Sequence, residues 1–172
     1  MLRPVGPPPL LDTVFSIIDT AVKTGKENDV TAVIYFGTSK HTGHPLTVLD
    51  WDIVQIEGAL LDTWLQTVFK NLEHLTKTLK CRFGSAGALI EDRQTGSVLI
   101  QQSLRRGWPA RALPESLTSV GKDERAVLAS SFHYQGKVKI TQAAYDKVVA
   151  YKDKPRNHLL RQIADFRLGD KD

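Results

Sequence analysis

Two carboxylates stand where packing alone would not put them. Asp19 closes the apolar run Val14, Phe15, Ser16, Ile17, Ile18, and Glu91 closes Ala88, Leu89, Ile90. Burying a charge without a partner is costly, so an acid at the end of a β-branched segment marks the place where the strand leaves the core. Two such ends on neighbouring strands deliver two acids to one edge of a sheet. Converging carboxylates repel one another, and a hard divalent cation with oxygen ligands, magnesium or manganese, relieves the repulsion. Two such ions about 4 Å apart activate a water and stabilise the departing oxygen of a phosphodiester. Metal-assisted phosphodiester hydrolysis is therefore the chemistry that the pair suits.

The elements that must position the pair are legible in the pattern. Residues 14–20 read as a strand, residues 31–36 as a second and residues 46–56 as a third, joined by turns that hold Gly25, Asn28, Asp29 and Gly43. Short connections between three strands make an antiparallel meander. Leu61, Trp64, Leu65, Val68, Leu72, Leu75 and Leu79 recur at steps of three and four, which predicts a strongly amphipathic helix over one face of the sheet. A strand over residues 88–91 follows, then a helix from Thr95 to about Arg106 stopped by Gly107, and a short strand over residues 110–113 closed by Pro114. A helix over residues 122–132, a strand at 137–140, a helix from Gln142 capped by Thr141 and interrupted by Pro155, and a final helical face over 159–166 complete the chain.

Composition sets the bounds. The 172 residues suit one domain with a sizeable core, and 41% hydrophobic with 24% charged residues is the balance of a soluble globular protein. No apolar stretch approaches the ~20 residues that span a bilayer. The Pro-rich residues 1–13 lack the uninterrupted apolar region of a signal peptide and read as an exposed lead-in or the remnant of a hinge. The single cysteine, Cys81, excludes a disulfide framework and a cysteine zinc cluster and reads as a small half-buried hydrophobe. The net charge of +4 permits a polyanionic partner. Arg105, Arg106 and Arg111, and likewise Lys152, Lys154 and Arg156, read as solvated surface. Asp50 and Asp52, flanking Trp51, read as the solvent side of the meander. The five histidines show no metal-ligand spacing, and Trp108 and Tyr134 read as packing residues.

Three antiparallel strands followed by alternating helices and strands is the layout of an α/β ribonuclease H-like fold, a mixed central sheet of meander plus parallel strands flanked by helices. In that layout the first and fourth strands are neighbours, so Asp19 and Glu91 meet. After Glu91 a strand ends and a helix starts, at Asp92-Arg93-Gln94-Thr95-Gly96, and a helix start can receive a phosphate. Asp29 reads as a turn former or as further charge behind the site.

These residues also resemble a known family. Ser16 through Ala21 with Asn28-Asp29 looks like the opening of the nuclease domain of phage terminase large subunits, and Leu89 through Gly96 is similar to that family's second acidic motif. Lys122-Asp123-Glu124-Arg125-Ala126 resembles its Lys-x-x-Arg-Ala segment, Gly136-Lys137-Val138 its next strand, and Leu160 through Phe166 the helix before its last acidic motif. The resemblance runs from about residue 14 to the end. It implies that residues 14–172 form a ribonuclease H-like nuclease domain with two Mg²⁺ or Mn²⁺ ions, cutting concatemeric double-stranded viral DNA during packaging.

By resemblance Asp19 and Glu91 are metal ligands, Lys122 and Arg125 face the DNA or brace the acids, and Asp29 and Asp92 support the site. The third acid is Asp170 or Asp172, which follow Phe166-Arg167-Leu168-Gly169, or it lies beyond residue 172. The resemblance also implies a terminase ATPase domain, a small terminase subunit and a portal protein as partners, and the cytoplasm of a bacterial host carrying a phage or prophage as the location. No G-x-x-x-x-G-K-[ST] occurs, since Gly25-Lys26 and Gly121-Lys122 lack the upstream glycine, so the chain does not carry the motor's phosphate loop. The rival readings are a DNA-binding fragment lacking its third acid, and another ribonuclease H-like nuclease or resolvase.

Overall fold

The computed structural model describes residues 2–6, 10–20, 30–42, 45–55, 60–91 and 95–169. β2 (Thr13–Asp19), β3 (Val30–Thr38) and β4 (Leu46–Gln55) form the expected antiparallel meander. β2 and β3 alternate buried and half-buried residues, the period of a strand with two unequal faces. α1 (Leu61–Thr78) crosses over the sheet and returns the chain as β5 (Ser85–Ile90), parallel to β2. α2 (Thr95–Arg105) and β6 (Ala110–Ala112) repeat the manoeuvre, and β6 lies parallel to β5. After α3 (Glu115–Thr118) and α4 (Lys122–Tyr134), β7 (Val138–Thr141) pairs in parallel with β4 on the far side. Within the Pro-rich stretch, β1 (Pro4–Val5) pairs with β7, so the sheet draws on residues read as lead-in. The seven-stranded sheet runs β1-β7-β4-β3-β2-β5-β6, a mixed α/β architecture with helices on both faces.

One face is closed by α1. Its Leu61, Trp64, Leu65, Val68 and Leu72 are buried against Val14, Ile18, Val33, Ala88 and Ile90 of the strands, with Leu99 of α2 beside them. The other face carries Trp51, Val48 and Ile140, with Ala144, Leu159 and Leu160 packed over them. Trp51 is anchored there by its indole N–H, which donates to the Ala144 carbonyl at 2.9 Å.

Three local expectations change. The helix from Gln142 is short, α5 (Gln142–Asp146), and the chain then forms a hairpin of β8 (Val149–Tyr151) and β9 (Lys154–Arg156). Its turn residues Lys152 and Asp153 both hold positive φ, 49° and 56°, the backbone that matches the twist of two paired strands. Pro155 therefore sits in a strand; both strands of a two-stranded sheet are edges, where proline is tolerated. Asn157 then starts α6 (His158–Asp165), its side chain accepting from the Leu160 N–H at 2.9 Å.

Asp50 and Asp52 lie on the α1 face, not the solvent side. A bulge shifts the pairing between Tyr35↔Asp50 and Phe36↔Val48, which reverses the parity of β4 beyond it. Asp50 there accepts from Asn71 of α1 at 3.2 Å and from the Lys147 ammonium at 2.8 Å. Tyr134, read as a packing residue, is instead 95% exposed, whereas Trp108 stacks on Phe69 with ring centroids 5.2 Å apart.

Candidate functional site

The acid pair is brought together by the register of two parallel strands. Ile17 pairs with Leu89 and Ile18 with Ile90, so the next residues, Asp19 and Glu91, end adjacent strands side by side. The Glu91 N–H reaches the Ile18 carbonyl at 3.4 Å, continuing the ladder to the acid itself. Neighbouring strands lie about 4.8 Å apart, which is the spacing of the two backbones at this point. Ile18 and Ile90 are fully buried under α1, and alternation turns the residues that follow them to the opposite face. Asp19 is exposed and Glu91 half-buried, as two groups at the rim of a sheet should be.

The rim continues across the sheet. Asp19 pairs with Ala32 of β3, and Ala32 pairs with Ile53 of β4, so Glu91, Asp19, Ala32 and Ile53 occupy successive strands along one edge. β2, β4 and β5 are mutually parallel, so this edge collects their carboxyl ends. Ligands of open α/β sheets bind outside the carboxyl ends of strands, because there the loops diverge and leave a crevice.

Gly96 is the site residue that the linear pattern did not single out. It lies in the first turn of α2 against the end of β5, and a Cβ there would stand 1.8 Å from the Glu91 carbonyl oxygen. Only a residue without a side chain lets α2 start so close to the acid. A glycine in the first turn of an otherwise ordinary helix was the available signal.

Lys122 and Arg125 begin α4, one turn apart and both exposed. Lys122 stands over the Phe166 ring, 5.9 Å from its centroid, and lines a cavity that reaches Ile53 on the acid-bearing edge; Arg125 does not line it. The chain after α6 is tied back to α4: the Gly169 N–H donates to both carboxylate oxygens of Asp123, at 3.2 and 3.1 Å. Asp29, Asp92, Asp170 and Asp172 lie outside the described residues.

Among the described residues no group of three or more His, Cys, Asp or Glu is arranged to hold a metal ion. The pair that is present, two carboxylates at adjacent strand ends, is an oxygen donor set of the kind that hard divalent ions take. Other titratable groups belong to the framework. His158 is buried, with Nε2 at 2.9 Å from the Val149 carbonyl and 3.1 Å from that of Lys154, which pins the hairpin to α6. Burial pushes the Cys81 thiol up from its ordinary range, the inert setting of a packing cysteine. Burial likewise holds the Tyr35 phenol well above its usual range on the α1 face. No described helix is long and apolar enough to cross a membrane.

No family model matches the chain, and no curated protein matches it. Among solved structures it is similar to the human cytomegalovirus terminase nuclease domain, at 13% identity and a TM-score of 0.64, over 93% of this chain and 76% of that one. A manganese-soaked form of that domain also matches, at 15% identity and a TM-score of 0.46, over 90% of this chain and 76% of that one. The chain has the fold of a terminase nuclease domain: a ribonuclease H-like mixed sheet, meander plus parallel strands, flanked by helices.

Proposed function

We propose that the chain is the nuclease domain of a viral terminase large subunit and hydrolyses double-stranded DNA during genome packaging. The observation that supports this most is the juxtaposition of Asp19 and Glu91 at the carboxyl ends of parallel neighbours β2 and β5. Two acids on one face of one edge suit Mg²⁺ or Mn²⁺, which when bound would activate water and stabilise the leaving oxygen. Asp19 and Glu91 would hold the ions, together with an acid from the C-terminal segment, Asp170 or Asp172. Gly169, the residue before that segment, donates its N–H to Asp123 in the first turn of α4. Lys122 and Arg125 supply positive charge for phosphates, and Asp29 and Asp92 adjust the charge behind the ligands. Contacts to phosphates position a strand without reading it, so cleavage would be weakly sequence-selective. In this reading the DNA is delivered by a motor ATPase acting with a small terminase subunit and a portal, in the cytoplasm of the infected cell.

The test is plasmid nicking in Mn²⁺ by the purified chain, by Asp19→Asn and Glu91→Gln, and by a version extended at its C-terminus. Nicking that falls in each variant by about 10²-fold or more, the scale of losing an electrostatic element of a transition state, supports the proposal. Activity only in the extended version shows that the third acid lies beyond residue 172. Cleavage of RNA–DNA hybrids with duplex DNA left intact makes the chain a different nuclease of the same fold.

A further inference from the structure

Four cations, Lys122 and three arginines from residues 156–167, line one cavity beside the acid-bearing edge. The cavity, about 300 Å³, is lined by Lys122 at the start of α4, Arg156 at the end of β9, Arg161 on α6 and Arg167 beyond it. Asp165, 2.5 Å from the Arg161 Nε, is the one carboxylate in its wall among the described residues. Ile53 forms part of the wall, and Ile53 pairs through Ala32 with Asp19. The cavity is thus displaced from Asp19 by two strand spacings, about 10 Å, along the same edge and on the same face.

We propose that this cavity is a backbone-phosphate subsite that grips the substrate strand close to the scissile bond. The inference rests on the nuclease reading for its register with the acids. The occupant follows from the donors. Guanidinium groups present forked N–H donors that match phosphate oxygens, and among the described residues of the lining three of them face the single carboxylate of Asp165. The Arg161–Asp165 pair is more than half exposed, so it gives little resistance to a competing anion. Ile53, Tyr151 and Phe166 add an apolar and aromatic part to the wall, and the charged groups outnumber Gln162, so phosphate rather than base contact dominates the grip. Arg156, Arg161 and Arg167 are all exposed, so replacing them spares the core.

The experiment measures binding of a labelled 20-base-pair duplex to the chain in EDTA as salt is varied, for the parent, Arg156→Gln, Arg161→Gln, Arg167→Gln and Arg156→Glu. Each neutral variant should bind about tenfold more weakly at low salt, as expected for loss of one charge-assisted hydrogen bond, and should flatten the salt slope by about 0.9. Arg156→Glu should weaken binding further, while all variants melt as the parent does. Parent-like affinity and salt slope in the variants overturn the subsite, and nicking by the parent would then leave the nuclease reading intact. Inorganic phosphate or a mononucleotide that binds the parent but not Arg161→Gln, with duplex affinity unchanged by the substitution, makes the cavity a small-anion site and overturns the backbone assignment. Asp19→Asn separates the two readings, since it should stop nicking yet keep duplex affinity within twofold.

Discussion

Replacing Gly96 with alanine tests whether the start of α2 sets the position of Glu91. The added Cβ would stand 1.8 Å from the Glu91 carbonyl oxygen, 3.0 Å from its carbon and 3.4 Å from Ile90 Cγ2. Restoring ordinary contact with that oxygen requires a shift of about 1.6 Å or more, and the obstacle is backbone, which no rotamer change relieves. Two effects oppose. Alanine favours a helix over glycine by about 1 kcal/mol, whereas overpacking a fixed site costs about 1–3 kcal/mol and occasionally more. A clash this close lies at the severe end, so the net sign is destabilising. At about 2–4 °C per kcal/mol for a chain of this size, the melting temperature should fall by a few degrees. Displacing the end of β5 by about 1 Å should also cost about 10²-fold in nicking rate. Gly6→Ala is the control, since a Cβ there meets nothing within 4 Å. A Gly96→Ala protein that melts at or above the parent temperature, or nicks within twofold of it, refutes the argument that this close approach holds Glu91 in place.

Other expectations follow from single contacts. Burial raises the Asp52 carboxyl above its ordinary range, against the lowering effect of its bond from the Ile53 N–H. A carboxyl raised in the folded state contributes stability below its unfolded pKa of about 3.9 and loses it as pH rises through the folded value. Asp52→Asn, which keeps the acceptor, should therefore stabilise the fold at neutral pH, with the gain vanishing in acid; denaturant melts at pH 7 and pH 3 decide. Thr141 Oγ1 donates to the Leu49 carbonyl at 3.0 Å and accepts from the Ala144 N–H at 3.2 Å, both buried. Thr141→Ala should cost about 1–2 kcal/mol in urea unfolding, and a value near zero would show that the cap is not needed. Asp123→Ala removes the tie to the Gly169 N–H on the exposed surface. It should leave global stability within about 0.5 kcal/mol yet speed hydrogen exchange at Gly169, and unchanged exchange would show that the tie is absent in solution. In the nuclease reading it should also slow nicking.

How far the chain could be read from its residues is seen element by element. β2, β3 and α1 were plain, because each has a strong period of two or 3.6 set by one buried face, and β4 was plain from its apolar run between turns. The acids at 19 and 91 were plain for a complementary reason, since a charge interrupting an apolar run breaks that pattern. The hairpin 149–156 was missed because Pro155 argues against helix without showing where the turn lies, and Lys152-Asp153 is not the usual glycine-bearing turn.

The residues by themselves determined the identity and order of the elements from the meander through the strand at 110–112, and the two strands that end in acids, because periodicity and the cost of a buried charge are local properties. Tertiary structure decided what those ends meet. The crossover through α1 set β5 beside β2 and so placed Glu91 next to Asp19. A bulge in β4 turned Asp50 and Asp52 under α1 and left Ile53 on the acid-bearing face. The return of α6 carried Arg161 and Arg167 to Lys122 and Arg156. Such meetings depend on register and on the path of the returning chain, in which a shift of one residue exchanges the two faces of a strand.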